Sequence, residues 1–482
     1  MNNNNLVLLA TLITSFLFGV WLNPPAPYTK KDLLRGLESQ ANLQALTQEN
    51  KKLLIGFNAN LDALVHNGPE FLRTLQGVDE FSVAKDTKTI QTAKEFGEVF
   101  SLHLSSSSAG ERAVSNDTLW KEILQHLEKF SEEDDFKIGG NAALMSQAVA
   151  KIFDNVEVSL LGMVGPKIAG KLNSKIQVIH GKEGMISVDG VKYQALNDEI
   201  HLILEYPSNA KFGNSKSQRA NRFIVSRDFS NGAIAPLETL SNILDKKFDA
   251  IVIAGVHLMD GMLPESARSK RLQEVKSVLS KLGDVRIHLE LGSTGDLDFS
   301  AEILKTLNVN SLGLNEQEFF TICERLKFCT VEERTTMASS IPPVAKIQES
   351  ISKLFNALPT VTRIHFHCFS YHIIAQKNDA YKIWKSPDRA VAIGSLVATE
   401  RACAAKVSQL HGNQLTFGMG AIKVINNSEE LKTLEFKPSD PVLKFSMKEV
   451  DYFLAPVLAC TVPKQTVGLG DYISASALAS QL

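Results

Sequence analysis

With 482 residues, 44% of them hydrophobic and 22% charged, the chain has apolar material for a large core and a subsidiary domain, which excludes a disordered or fibrous protein. Its formal charge is −2 at pH 7, so no summed basic field draws nucleic acid or an anionic membrane surface. A small-molecule substrate is the better expectation.

The chain opens with an uncharged run, Leu6 to Leu22, set between four asparagines and Asn23-Pro24-Pro25. This predicts a signal peptide or signal anchor over residues 1–22 and entry into the secretory route, to the endoplasmic reticulum lumen or secretion. The run lacks a basic leading segment and a small-x-small cleavage site, so cleavage stays open, and membrane attachment would come only from an uncleaved anchor. A buried N-terminal helix is the alternative. Five cysteines, at 323, 329, 368, 403 and 460, are too few for a disulfide scaffold and contain no C-x-x-C pair for zinc. Asn116 and Asn426 head glycosylation triplets on the same secretory assumption.

From residue 30 onward, short apolar runs predict buried parallel strands at Leu53 to Phe57, Val156 to Leu161, Phe248 to Ala254, Val285 to Leu291, Val309 to Leu314 and Arg363 to Phe366. Helical spacing lies between many of them, as at Ala142 to Phe153 and Ala267 to Leu282. Strand and helix alternating in this way predict a doubly wound α/β domain, which collects ligands beyond the carboxyl ends of its strands. Two stretches break the alternation, roughly 62–135 and 180–230, and are read as a smaller α/β lid; within the second, Asp189-Gly190 predicts a hairpin turn.

The strongest local signal is Thr466-Val-Gly-Leu-Gly-Asp471, a glycine pair running into a small-residue helix. Gly468 and Gly470 would let backbone approach a phosphate at a helix start, where free N–H groups and the helix dipole favour an anion. Asp471 is a candidate general base; the plainer reading is a helix N-cap. Glu290 and Glu318 each fall at or just past the end of an expected buried strand and offer hard oxygen ligands for magnesium, with exposed loop acids as the alternative. Asn60, Asp62, Gly139, Gly140 and Asn141 stand at two strand-to-loop junctions and could bind a sugar ring. Arg222 and Arg227 lie on one alternating segment, where either could clamp a phosphate or pair with a carboxylate such as Asp228. His365 and His367 share a strand face; a structural or adenine-adjacent role is favoured over zinc.

Gly468-Leu-Gly-Asp471 resembles the G-x-G-D of ribokinase-like sugar kinases, and an ordered set of further segments is similar to the ADP-dependent glucokinase and phosphofructokinase family. These are Gly56-Phe-Asn-Ala-Asn-Leu-Asp62, Ile138-Gly-Gly-Asn141, Ala220-Asn-Arg-Phe-Ile224, His288-Leu-Glu290, Asn315-Glu-Gln-Glu318 and Arg363-Ile-His-Phe-His367 with Tyr371-His372. Together they span most of the chain. The resemblance implies a ribokinase-like large domain with a lid, over residues 30–482, and a kinase moving the β-phosphoryl group of ADP to the 6-hydroxyl of glucose with magnesium. In that scheme Asp471 is the base and Arg222 the phosphate clamp. Asn60, Asp62, Gly139, Gly140 and Asn141 hold the sugar, and Glu111 in the lid reads its 2-hydroxyl. Gly468, Gly470, His365 and His367 lie at the nucleotide, and Glu290 and Glu318 at the metal. Members with a cysteine on a helix and another shortly before G-x-G-D also suggest a Cys403–Cys460 disulfide, against the alternative of two buried free thiols. The expected partners are glucose and ADP, without nucleic acid, and the enzyme is expected to be a monomer. Rival readings are an ATP-dependent ribokinase-like kinase, the phosphofructokinase branch, and a non-catalytic lumenal carbohydrate-binding protein.

Overall fold

The computed structural model describes residues 29–41, 49–108, 110–180, 184–191, 198–218, 220–243, 246–292, 294, 296–338, 341–465 and 467–482. The apolar run at 6–22 lies outside them. Among the described residues no helix is long and apolar enough to cross a membrane. The chain divides into two compact units, Glu49–Val309 and a second made of Met1–Gln48 with Asn310–Leu482.

In the Glu49–Val309 unit, one sheet runs Arg286–Glu290, Ala250–Ala254, Lys51–Phe57, Val156–Gly162, Gln177–His180 and Gly184–Ser187. All neighbours are parallel except the last pair. Its central strands are rich in Leu, Ile and Val and are buried along nearly their whole length, as expected where helices cover both faces. The Asn141–Ile152 helix is one of these covers; Ala142, Met145 and Val149 on it are fully buried.

A second sheet in this unit runs Thr89–Ile90, Gly110–Val114, Asn221–Ser226, Ile200–Tyr206, Asn60–Val65 and Phe136–Gly139, mixing parallel and antiparallel pairs. The chain thus leaves the first sheet at Phe57 and enters the second at Asn60. Phe96, Phe100, Phe212 and Phe223 are fully buried, and Phe100 meets Phe212 and Phe223 edge-on. Gln177–His180 and Gly184–Ser187 belong to the first sheet and not with this second one, because Gln177–His180 pairs with Val156–Gly162 and Gly184–Ser187 with Gln177–His180. The expected turn at Asp189-Gly190 is instead a short helix, Val188–Val191; the reversal comes earlier, between Gln177–His180 and Gly184–Ser187.

In the other unit, five strands run Leu443–Met447, Val450–Pro456, Tyr371–Lys377, Arg363–His367 and Ser311–Asn315. Only the last pair is parallel; the others are antiparallel, two of them hairpins and the third, between Tyr371–Lys377 and Val450–Pro456, joining segments distant in sequence. The helices Pro387–Cys403 and Leu469–Ala479 are buried along most of their length, which their small residues permit. Asn116 and Asn426 are both engaged locally: Asn116 caps the Asp117–Phe130 helix, and Asn426 accepts from Ser428 and Glu430 amides.

Candidate functional site

At the start of the Asn60–Val65 strand, Asn60 and Asp62 fall on one face by the two-residue period, and the Asn60 amide donates to Asp62 Oδ1 at 2.7 Å. The turn before them is held by Asn231, whose amide donates to the Ala59 carbonyl at 2.9 Å. Asn60 lies opposite Gly139 on the neighbouring strand. A β-carbon at Gly139 would sit 2.2 Å from Asp62 Oδ1, so only glycine leaves this carboxylate in place. Gly140 then caps the Asn141–Ile152 helix with φ of 84°, and Asn141 Oδ1 is 3.5 Å from the Asn58 amide nitrogen.

The parallel strand Ile200–Tyr206 brings His201 beside Asp62. His201 Nε2 is 2.8 Å from Asp228 Oδ2, and its Nδ1 is 3.8 Å from Glu111 Oε1. The Ser226 hydroxyl lies 3.4 Å from the same Glu111 oxygen. Burial works against a charge on His201, but the Asp228 hydrogen bond and the carboxylates of Glu111, Asp228 and Asp62 outweigh it and raise its pKa to about 9. Burial also raises Asp62, against the pull of His201, Asn60 and Arg222. Glu199, half-buried, is pushed up to about 7 by its partial desolvation and by the Asp228 charge. The result is a set of fixed acceptors around one imidazolium donor, chemistry suited to a polyhydroxylated ring.

Arg222 is exposed on Asn221–Ser226, within electrostatic reach of Asp62. Arg227 is committed elsewhere: it pairs with Asp117 and lies over the Phe229 ring. Asp228 turns to His201 and Asn231 and is not a partner for either arginine. In the same unit, Glu290 ends the Arg286–Glu290 strand, 4% exposed, with Oε2 3.1 Å from His288 Nε2.

The second unit carries the glycine turn. Gly468 caps the Leu469–Ala479 helix in the left-handed region, φ 71°, with no side-chain cap bond. Asp471 is therefore not the N-cap; it lies in the first helical turn and is 8% exposed. The His367 ring packs against this turn so closely that a β-carbon at Gly470 would lie 2.6 Å from its Cε1. His365 is placed differently: it is fully buried, its Nε2 2.9 Å from His372 Nδ1, and His372 continues to Ser395. Burial lowers His372 to about 3. His365 is thus bonded within the interior of the sheet. Its strand carries His367 to the glycine turn.

The segment before Gly468 is tied to the Pro387–Cys403 helix three ways. Cys403 and Cys460 are disulfide-bonded with Cα atoms 5.6 Å apart, the Lys464 amide donates to the Ala402 carbonyl at 2.7 Å, and Arg401 donates to the Val467 carbonyl while lying over the Tyr472 ring.

Glu318 is also structural. Asn315 caps the Glu316–Arg325 helix, accepting from the Glu318 amide at 3.0 Å, while Glu318 Oε2 accepts from the Asn315 amide at 2.9 Å and Oε1 from its side chain at 2.8 Å. The N-x-x-E spacing is thus a capping box, a signal present in the sequence. Glu290 and Glu318 are each a carboxylate of the hard-oxygen type that a hydrated cation takes. Among the described residues, however, no group of three His, Cys, Asp or Glu side chains could hold a metal by itself. Hydrated magnesium that keeps most of its waters and takes phosphate oxygens needs only one or two carboxylates, whereas a protein cage needs more.

The conserved region described as ADP-specific phosphofructokinase/glucokinase matches residues 51–480. The chain belongs to this family. Among its relatives in the family, the ADP-dependent glucokinase of Bos taurus is 30% identical over 439 residues, covering 89% of this chain and 84% of that one. A probable ADP-dependent glucokinase of Caenorhabditis elegans is 29% identical over 445 residues with the same coverage. Family structures share the fold: a hypothetical ADP-dependent phosphofructokinase from Pyrococcus horikoshii OT3 superposes with TM-score 0.64 at 16% identity, over 90% of this chain and 98% of that one. The α/β class expected from the sequence is therefore the fold observed, and it is shared with the family's solved structures.

His201, Asp228 and Asn231 are the members of the acidic cluster that sequence reasoning missed. Ile200–Tyr206 is a mostly apolar strand, buried at five of its seven residues, and a histidine inside such a run was the available signal.

Proposed function

We propose that this chain phosphorylates glucose with ADP, giving glucose 6-phosphate and AMP. The observation that carries the choice of sugar is the Asp62–Glu111–His201–Asp228 cluster: three carboxylates around one histidine suit neutral hydroxyls and would repel the second phosphate of a sugar phosphate. The similarity to curated glucokinases supports the same reading.

The 6-hydroxyl oxygen forms the new bond to the β-phosphorus of ADP as the bond to the bridging oxygen breaks and AMP leaves; the hydroxyl proton goes to the Asp471 carboxylate. Asn60, Asp62, Gly139, Gly140 and Asn141 orient the ring, Glu111 takes the 2-hydroxyl, and His201 donates from the centre of the cluster. Arg222 and the amides from Gly468 to Gly470 stabilise charge on the transferred phosphoryl oxygens. Magnesium, when bound, would neutralise phosphate charge, with Glu290 and Glu318 holding its waters. His367 keeps the glycine turn in shape beside the nucleotide.

We also read the run at 6–22 as the route into the secretory pathway, as a signal peptide or anchor, and the enzyme as a monomer; the Cys403–Cys460 bridge suits an oxidising lumen. The test of function is product identification with purified protein, magnesium, glucose or fructose 6-phosphate, and ADP or ATP. Glucose 6-phosphate with AMP is expected. Product mainly from fructose 6-phosphate, or turnover with ATP alone, would replace this reading by one of its rivals.

A further inference from the structure

Three cysteines are free of the Cys403–Cys460 bridge: Cys323, Cys329 and Cys368. Two of them form a pair. Cys323 is buried in the last turn of the Glu316–Arg325 helix, and Cys329 is half-buried in the turn that follows. The chain reverses there through Lys327, whose φ of 62° is left-handed. That reversal returns the Phe328 and Cys329 amides to the Cys323 carbonyl, at 2.6 and 3.3 Å, in the manner of a Schellman cap. It also returns Cys329 to the end of the helix that carries Cys323, with Cys329 Sγ 3.7 Å from the Phe320 carbonyl oxygen one turn earlier.

We propose that Cys323 and Cys329 are a reversible thiol–disulfide site, oxidised by small disulfides of the glutathione class. Two cysteines brought to one turn, the amide of one 3.3 Å from the carbonyl of the other, one half-buried and one buried, are what such a site requires. The Cys329 thiolate attacks one sulfur of the oxidant, forming a mixed disulfide and releasing one thiol. The Cys323 sulfur then attacks Cys329 Sγ, releasing the second thiol and closing the internal bond. Two cysteine thiols are oxidised, one small disulfide is reduced to two thiols, and the protons leave with them. The ionisation of the pair agrees with this division of labour. The neighbouring Cys323 thiol holds Cys329 below the ordinary thiol range, while the nearby Cys329 and burial raise Cys323. Cys368 offers an internal control: it is buried, donates to the Tyr371 carbonyl at 3.3 Å, and burial pushes its thiol up to about 12.

The test uses the full chain, reduced with dithiothreitol and equilibrated in buffers of increasing oxidised-to-reduced glutathione ratio. Free thiols are then alkylated under denaturing conditions before trypsin digestion. Trypsin cuts after Arg325 and Lys327, so the bond would join two otherwise separate peptides. The linked Cys323–Cys329 pair is expected to rise with the glutathione ratio and vanish on reduction, with Cys368 alkylated throughout. In Cys323→Ser, a glutathione adduct on Cys329 should accumulate in place of the bond. Recovery of Cys323 and Cys329 as free alkylated thiols at every ratio, or only as separate glutathione adducts, would overturn the proposal.

Discussion

Around Asp62 the chain works with side-chain charge: Asp62, Glu111 and Asp228 surround His201, and Arg222 stands exposed nearby. Around Gly468 it works with backbone: a left-handed glycine, a helix start, and a ring pressed on Gly470, braced by a disulfide and by Arg401. The contrast follows the ligands proposed for each. Hydroxyls of a neutral ring are told apart by placed acceptors and donors, whereas a polyphosphate is recognised by amides that converge on its oxygens. A charge cluster should therefore respond to pH and to single side-chain changes in sugar specificity. A braced turn should respond mainly through the rate of transfer.

The largest effect is expected at the turn. Asp471→Asn should keep the fold and glucose affinity while lowering kcat by roughly two orders of magnitude or more, the scale of losing a positioned base. A rate within a few-fold of wild type in steady-state assays would remove Asp471 from the chemistry.

Within the cluster, Glu111→Ala should raise the KM for glucose on the order of tenfold while changing that for 2-deoxyglucose little, since only glucose loses a 2-hydroxyl contact. Equal effects on both sugars would return Glu111 to an exposed strand residue and blur the comparison.

A smaller change is expected at Glu318. Glu318→Gln keeps one acceptor for the Asn315 cap but weakens its hold on a hydrated cation, so the magnesium needed for half-maximal rate should rise a few-fold with a small loss of thermal stability. A magnesium titration that matches wild type, with only the stability loss, would leave Glu318 as a helix cap alone.

The pH response of the cluster is the most gradual. His201 titrates near 6.5 when unfolded and about 9 when folded, so its stabilising charge is fully present below 6.5 and is lost as pH rises through 9. Stability measured by denaturant unfolding should therefore fall across that window, and His201→Asn should flatten that part of the profile. An unchanged slope in the variant would show that the imidazolium does not hold the cluster together.

The strands at Lys51–Phe57, Val156–Gly162 and Ala250–Ala254 were legible because continuous apolar runs have one stable use in a covered parallel sheet. The Gly468–Asp471 turn was legible because glycine spacing and a helix start act locally. His201 and Asp228 were not, since their meeting depends on strand register between segments distant in sequence. Asn315-x-x-Glu318 shows the opposite difficulty: one spacing serves a capping box and a metal-side acid, and only the hydrogen bonds reveal the first. His365 and His367 share a strand, yet one completes a buried chain to His372 and the other meets Gly470, a split that period alone cannot give.

The most direct measurement of the central claim is the fate of ADP labelled at its β-phosphate, incubated with glucose, magnesium and the purified chain. Label recovered in glucose 6-phosphate with unlabelled AMP, and lost with Asp471→Asn, is the predicted result. Label that stays in nucleotide or appears as free phosphate, while the protein binds glucose, would contradict the account and make the chain a carbohydrate-binding protein on a kinase fold.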